Sequence, residues 1–334
     1  MRLALIGATG MVGEVMQKVL VEREFPVTEF IPVASAKSVG STLNWNGASY
    51  LIRSLDEALA MRPDLVLMSA GGTVSLEWAP KFAAAGCFVV DNSSAWRMEP
   101  GIPLVVPEIN AGALSAETKI IANPNCSTIQ MLVALKPLHD AAGIERINVA
   151  TYQSVSGAGK EAVDELAAQA VALMSGKGSV KAKAIAAQIA FNVVPQIDKF
   201  LDNGYTKEEM KMMWETQKIL GDPSIRVNAT AVRVPVFFGH SEAVHIETRR
   251  KLTAAEARAL LVKTKGVKVV DTRKPGGYPT AIDAAGHDEV FVGRIREDLS
   301  HERGLDLWIV ADNIRKGAAT NSVQIAELLV REHL

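Results

Sequence analysis

Leu3-Ala4-Leu5-Ile6-Gly7-Ala8-Thr9-Gly10-Met11-Val12-Gly13 is the stretch whose reading decides the fold. Residues 3–6 read as a short strand, and glycines at 7, 10 and 13 follow it directly. Gly7 permits a tight turn, Gly10 lets the backbone approach a pyrophosphate, and Gly13 lets a helix pack closely on a sheet. Residues 11–23 continue as an amphipathic helix with Met11, Val15, Val19 and Leu20 on one side. A pyrophosphate would sit at that helix's N-terminus, where free N–H groups and the helix dipole favour an anion. A glycine triplet alone is weak evidence. One that follows an N-terminal strand and opens a helix predicts a Rossmann-type dinucleotide-binding domain.

The same alternation continues to about residue 125. The next strand is expected over 29–34, followed by Ser35-Ala36-Lys37-Ser38-Val39-Gly40. An NAD-preferring fold commonly has a carboxylate here for the ribose 2′-hydroxyl. The hydroxyls of Ser35 and Ser38 and the cation of Lys37 suit a 2′-phosphate instead, so NADP is the expected cofactor; an ordinary polar loop is the bland alternative. Further strands are expected at 64–69 and 87–91, with helices near 55–61 and 75–85. Such alternation implies a parallel sheet with helices on both faces. Ligands bind at the carboxyl ends of those strands, where Ala70-Gly71-Gly72-Thr73 and Asn92-Ser93-Ser94 form loops.

Cys126 follows a strand at 119–122 and the turn Asn123-Pro124-Asn125, and precedes an apolar helical run over 129–135. A thiol near the first N–H groups of a helix has its thiolate stabilised, which suits covalent attack on a carbonyl. A buried structural cysteine is the competing reading. Cys87, the only other cysteine, begins a buried strand and reads as core.

The 334 residues suggest about two domains, and 48% hydrophobic with 22% charged residues indicates a globular protein with full cores. A net charge of −1 gives no sign of a nucleic-acid surface or a polybasic membrane patch. Two cysteines build no disulfide framework, and no Cys-x-x-Cys or histidine spacing suggests a metal. No apolar run approaches a membrane span, and the N-terminus shows no signal-peptide pattern, so a cytoplasmic protein is expected. The Ala-rich stretch 162–190 reads as helical.

In the second half, 148–155 reads as a strand, followed by Ser156-Gly157-Ala158-Gly159 and a long helix from Lys160. Gly159-Lys160 does not make a P-loop, because Ser154 and Glu161 stand where glycine and Ser or Thr are needed. The segment 206–219 reads as a helix on which Glu208 and Lys211 share a face, as a solvated ion pair would. Strands are expected over 225–234 and 241–249. Arg233 in its apolar strand needs an anionic partner, from the protein or from a substrate carboxylate. His240 is seven residues away; Pro235 and Gly239 interrupt the strand, so the two can converge. Taken alone, His240 is as readily structural as catalytic.

The chain resembles aspartate-β-semialdehyde dehydrogenase over nearly its whole length. The motifs are Gly-Ala-Thr-Gly-Met-Val-Gly at 7–13, Ser-Ala-Lys-Ser-Val-Gly at 35–40, Asp-Asn-Ser-Ser-Ala-Trp-Arg at 91–97, Asn-Pro-Asn-Cys-Ser-Thr at 123–128, Thr-Tyr-Gln-Ser-Val-Ser-Gly-Ala-Gly at 151–159, Glu-Glu-Met-Lys at 208–211, Arg-Val-Pro-Val-Phe-Phe-Gly-His-Ser-Glu at 233–242 and Asp-Asn-Ile-Arg-Lys-Gly-Ala-Ala at 312–319. The resemblance implies reductive dephosphorylation of L-aspartyl-4-phosphate with NADPH, toward lysine, diaminopimelate, threonine, methionine and isoleucine. It implies Cys126 as nucleophile, His240 as general acid/base and Gln153 orienting the acyl intermediate. Arg233 would clamp the substrate α-carboxylate and Glu208 would take its amine. Arg97, Asn125 and Lys211 would bind phosphate. Cofactor contacts would come from Gly7, Thr9, Gly10, Met11, Val12, Gly13, Ser35, Lys37, Ser38, Thr73, Ser156, Gly157 and Asn313, with no metal. Lys37 stands where close relatives often have Arg, which keeps the charge but loosens the geometry. The implied architecture is an NADP domain over 1–124, completed by a C-terminal helix 313–334, and a mixed α/β catalytic and dimerisation domain over 125–312. A homodimer is expected; some family members form tetramers.

Two related chemistries fit less well. N-acetyl-γ-glutamyl-phosphate reductase usually has Asn-Pro-Gly-Cys, whereas Asn125 precedes this thiol, and its substrate has no free amine for Glu208. Glyceraldehyde-3-phosphate dehydrogenase has a Ser-x-x-x-Cys-Thr-Thr type of thiol site and usually prefers NAD. A nucleotide-sensing regulator would need neither thiol nor histidine.

Overall fold

β1 (Arg2–Ile6) and α1 (Met11–Glu22) open a computed structural model that describes residues 1–178 and 180–334. The chain divides into two compact units, Met1–Pro124 with Ala318–Leu334, and Asn125–Gly317. The first unit continues through β2 (Glu29–Val33), β3 (Thr42–Trp45), β4 (Ala48–Leu51), α2 (Leu55–Ala60), β5 (Leu65–Met68), α3 (Gly72–Ala84), β6 (Phe88–Asp91), α4 (Pro107–Asn110) and β7 (Ile120–Ala122). Five strands form a parallel sheet in the order β2-β1-β5-β6-β7. Leu3, Leu5, Leu65 and Leu67 belong to one buried cluster, and Ala4, Ile6, Val66 and Met68 to another. Strands buried on both faces carry unbroken apolar runs, as 3–6 and 65–68 do. α1 joins the first cluster through Met16, Val19 and Leu20, and α3 joins the second through Trp78, Ala79 and Phe82. Met16 thus does the burying expected of Met11 and Val15, which are half-buried. Each large apolar side chain buried this way contributes on the order of 2 kcal/mol.

The strand order reverses between β1 and β5, which is where open α/β sheets bind ligands. The loops leaving those two strands touch. A Cβ on Gly7 (φ +88°) would fall 2.2 Å from the Ser69 carbonyl oxygen, and one on Gly13 would fall 2.2 Å from that of Gly7. Both positions therefore exclude any side chain. Two details differ from the expectation. α3 begins at Gly72, so Thr73 lies in its first turn and not in a loop. The hairpin β3–β4 was not anticipated; it turns on Asn46 (φ 48°) and Gly47 (φ 78°), both left-handed as a tight hairpin turn demands.

The second unit holds α5 (Cys126–Ala142), β8 (Ile144–Gln153), α6 (Lys160–Met174), α7 (Lys207–Leu220), β9 (Arg226–Arg233), β10 (His240–Thr248), α8 (Ala254–Lys263), β11 (Val267–Val269), α9 (Ala281–Ala284), β12 (Val290–Glu297) and β13 (Gly304–Ala311). Its mixed sheet runs β11-β12-β13-β10-β8-β9. α5 is buried along most of its length through Ile129, Met131, Leu132, Leu135 and Leu138. The side chains of His240, Glu242, Val244 and Ile246 alternate on one face of β10 and are all buried.

Two helical expectations need correction. The stretch 162–190 is helical only to Met174. Gly176 (φ 67°) and Gly178 (φ 80°) take left-handed backbone that ends the helix. Beyond them the Glu165 carboxylate accepts the N–H groups of Lys183 and Ala184, and Gln169 Oε1 accepts those of Ile189 and Ala190. That segment therefore satisfies its backbone from α6 side chains; Ser179 lies outside the described residues. The C-terminal helix also starts later than Asn313. Asp312 Oδ1 accepts the N–H groups of Ile314 (2.8 Å) and Arg315 (3.0 Å), a π-type turn covers Arg315–Ala319, and regular α10 spans Thr320–Glu332. α10 belongs to the first unit, where Val323, Ala326 and Leu329 share a cluster with α1. Among the described residues no helix is long and apolar enough to cross a membrane.

Candidate active site

Cys126 is the first residue of α5. Asn125 caps the helix, its Oδ1 accepting the N–H groups of Ser127 (3.0 Å) and Thr128 (3.2 Å). The Asn125 N–H donates to Glu215 (2.6 Å), a buried carboxylate that the sequence did not single out. The Gly317 backbone packs close against the base of the Cys126 side chain: a Cβ there would lie 2.7 Å from Cys126 Cβ.

Glu208 and Lys211 form no solvated pair. Glu208 is buried in the first turn of α7, whose capping box is built by Thr206 and Glu209. Its Oε1 accepts from Asn125 Nδ2 (2.8 Å) and Gln153 Nε2 (3.1 Å), and its Oε2 lies 2.9 Å from Lys211 Nζ. Lys211 also pairs with Asp198 at 2.9 Å, a partner with no signal in the sequence. Burial opposes the charge on Glu208, yet the Lys211 ammonium and the hydrogen bonds outweigh it and hold the carboxyl at about 2. Lys211 responds in kind: burial pushes it down, but Glu208 and Asp198 prevail and raise it.

Gln153 ends β8, Arg233 ends β9 and His240 begins β10. The interrupted strand does bring Arg233 and His240 together: a Cβ on Gly157 would lie 3.0 Å from Arg233 Nη1 and 3.1 Å from His240 Nε2. Arg233 is buried, and its Nη1 donates to the Ser154 carbonyl (2.7 Å). The Ser154 N–H donates to His240 Nδ1 (3.1 Å), which assigns the hydrogen of the neutral ring to Nε2. Burial first, and the Arg233 cation second, push the imidazole down to about 3, with Glu208 opposing. The ring is therefore neutral near pH 7. Gln153 Nε2 lies 3.4 Å from His240 Nε2, and Gln153 Oε1 accepts from the Thr151 hydroxyl (2.9 Å). Asn313 Oδ1 accepts from Ser154 Oγ (3.0 Å) and the Gly239 N–H (3.0 Å), and Asn313 Nδ2 donates to Ser156 Oγ (3.1 Å). Asn125, Gln153, Glu208, Lys211, Arg233, His240, Ser156, Gly157 and Asn313 thus form one connected cluster within the second unit. Ser154 ties it together and was visible only as a member of the 151–159 motif.

In the first unit the N-terminus of α1 has no side-chain cap, which leaves the N–H groups of Met11, Val12 and Gly13 to meet an anion. Thr9 and Gly10 precede them in the turn. Ser35 and Lys37 are exposed and Ser38 half-buried in the turn after β2. Thr73 is exposed at the start of α3. Arg97 is buried; its Nε donates to the Asn123 carbonyl (2.9 Å) and its Nη2 to that of Asn92 (2.9 Å).

The family model described as semialdehyde dehydrogenase, NAD binding domain, matches residues 2–117, and that described as semialdehyde dehydrogenase, dimerisation domain, matches residues 135–316. The chain is 59% identical to an aspartate-semialdehyde dehydrogenase of Legionella pneumophila, over 100% of this chain and 97% of that protein. It is similar to the crystal structure of aspartate semialdehyde dehydrogenase II of Vibrio cholerae complexed with ASA, with a TM-score of 0.96, 56% identity and coverage of 99% and 98% of the two chains. It also matches aspartate semialdehyde dehydrogenase with NADP from Candida albicans, with a TM-score of 0.75, 25% identity and 98% of each chain covered. Matched over its full length by proteins of one activity, and carrying a thiol at a helix start beside buried Arg, His and Glu side chains, the chain belongs to the aspartate-semialdehyde dehydrogenase family.

Proposed function

We propose that the chain catalyses reductive dephosphorylation of L-aspartyl-4-phosphate to L-aspartate-4-semialdehyde and phosphate, with NADPH as reductant, in biosynthesis of the aspartate-derived amino acids. The observation that carries this reading is the Glu208–Lys211–Asn125–Gln153 cluster, a buried anion and cation next to the residue that bears the thiol. Cys126 attacks the acyl phosphate and expels phosphate, leaving a thioester. His240, the proposed general acid/base, enters neutral with its hydrogen on Nε2, so it offers that N–H to the oxyanion formed when the thioester is reduced. Collapse of the thiohemiacetal releases the aldehyde and the Cys126 thiolate. Gln153 holds the acyl oxygen. Arg233 clamps the α-carboxylate, and Glu208, ionised, takes the α-ammonium. Arg97, Asn125 and Lys211 position the phosphate, already a good leaving group, and neutralise its charge.

The first unit fits NADP. Gly7 and Gly13 let the turn pack tightly on the Ser69 loop and on α1, and the uncapped α1 N-terminus offers N–H groups to a pyrophosphate. Ser35, Lys37 and Ser38 suit a 2′-phosphate, and Thr73, Ser156, Gly157 and Asn313 complete the expected contacts. NADPH supplies the hydride that reduces the thioester carbonyl.

The test is the reverse reaction, with NADP, phosphate and L-aspartate-4-semialdehyde, beside a parallel reaction on N-acetylglutamate semialdehyde. Phosphate-dependent NADPH formation with the first aldehyde alone is expected. Activity with the second alone would move the chain to the other reductase and leave Glu208 without a role. Activity with neither, despite tight NADP binding, would favour a sensor. A reduced thiol nucleophile suits a cytoplasmic location, which cell fractionation checks.

The second unit also supports a homodimer. Phe237, Phe238, Tyr278 and Ile282 line an apolar groove with Pro235 and Trp308, and Ile282 is 86% exposed. A contiguous apolar surface of this kind fits a self-complementary interface between copies. Light scattering is expected to give twice the chain mass, and Phe237→Glu to give the chain mass; a monomeric wild type would refute the dimer, and a value of four copies would make it a tetramer.

A further inference from the structure

On the face of β10 that bears His240, Glu242 is fully buried, and among the described residues neither of its carboxyl oxygens has a hydrogen-bond partner. It stands two residues after His240, so both side chains leave the same face of the strand. Across the sheet its register neighbours are Thr151 on β8 and Ile309 on β13. From α5 it meets Gln130, also fully buried, whose Oε1 is the matching orphan. Gln130 lies four residues after Cys126, one turn along the same helix face. Its Nε2 donates to the His240 carbonyl at 3.3 Å.

An ionised carboxylate in that place would be an unpaired charge in apolar surroundings, far costlier than taking up a proton. Burial accordingly pushes the Glu242 carboxyl well above the usual carboxylate range, with only the Gln130 amide opposing; among the described residues no cation acts on it. The neutral acid has one O–H that needs an acceptor, and Gln130 Oε1 is an acceptor that needs a donor.

We infer that Glu242 is a positioning residue, a neutral acid whose O–H donates to Gln130 Oε1, so that Glu242 and Gln130 together fix the helix that starts at Cys126 against the strand that starts at His240. The hydrogen bonds run from Glu242 O–H to Gln130 Oε1, and from Gln130 Nε2 to the His240 carbonyl. With its amide oxygen satisfied, Gln130 is held in the one orientation that offers nitrogen to His240. The functional half of this inference rests on Cys126 and His240 being the reacting pair.

The test joins infrared spectroscopy to kinetics. At neutral pH the wild type is expected to show the C=O stretch of a protonated carboxylic acid that disappears in Glu242→Gln and moves to higher frequency in Gln130→Leu, where the acceptor is gone. No band lost in Glu242→Gln, or a band unmoved in Gln130→Leu, would overturn the hydrogen bond. Glu242→Leu keeps the volume but loses the donor; it is expected to lower kcat by about tenfold or more with little change in KM, as a small misplacement of reacting groups does. Glu242→Gln, which still donates a neutral N–H, is expected to restore kcat. Wild-type kcat in Glu242→Leu would overturn the positioning role. Should Glu242→Leu fail to fold, the same kcat test on Gln130→Leu decides it. Should the wild type act on no semialdehyde, the proposed function fails, while the infrared arms still decide the hydrogen bond.

Discussion

Cys126→Ala is expected to abolish NADPH formation from L-aspartate-4-semialdehyde, phosphate and NADP, by more than about four orders of magnitude, as loss of a covalent nucleophile does. Without the thiol no thioester forms, and the Ser127 and Thr128 hydroxyls of α5's first turn are fully buried and do not take its place. The substitution is mild for the fold. Alanine keeps the Cβ that Gly317 approaches, and a helix N1 position tolerates it. NADP binding depends on the glycine turn and the α1 N-terminus, so the dissociation constant by calorimetry is expected to stay near that of the wild type. Wild-type-like turnover would refute the assignment of Cys126. Lost turnover together with lost NADP binding would point to a damaged structure.

What was legible in the sequence was local. The strand, the glycine turn and α1 lie within some twenty residues, and each signal there comes from a neighbour in the chain. The strand-to-helix turn before α5 was legible for the same reason, although the helix starts at Cys126, three residues ahead of the apolar run at 129–135, with Asn125 as its cap. Interruption of the strand at Pro235 and Gly239 foretold that Arg233 and His240 could meet, but not the Gly157 backbone between them. The part that was not legible is set by residues far apart in sequence. Ser154 finds His240 across 86 positions, and Asn125 finds Glu208 across 83. Without the resemblance, Glu208 and Lys211 at a spacing of three read as a surface pair, because composition does not say which side of α7 is buried. The alanine content of 162–190 misled in the same way: helix propensity is weak, and the glycines and the Glu165 carboxylate override it. Glu242 gave no signal of its own; an acid in a strand reads as exposed until the helix over it is seen.

Arg233→Lys is expected to raise the KM for L-aspartate-4-semialdehyde by roughly 10- to 100-fold, the cost of a lost charge-assisted hydrogen bond of about 1.5–3 kcal/mol. Arg233 is buried and one of its terminal nitrogens is already given to the Ser154 carbonyl. A guanidinium can keep that bond and still present other N–H groups to a carboxylate, whereas an ammonium is a single point that must choose. The pH dependence separates this from a generic loss of packing. Burial pushes the Arg233 guanidinium down, with Glu208 and Cys126 opposing, but from so high a start that it remains charged through the working range. A lysine in the same place starts lower and suffers the same burial. It sheds its proton as pH rises, so the KM of the variant is expected to climb further with pH where the wild-type KM does not. An unchanged KM with a lowered Tm would make Arg233 a structural residue that props the 154–157 turn. A raised KM that is flat in pH would mean that geometry alone, and not charge, is what the substrate carboxylate loses.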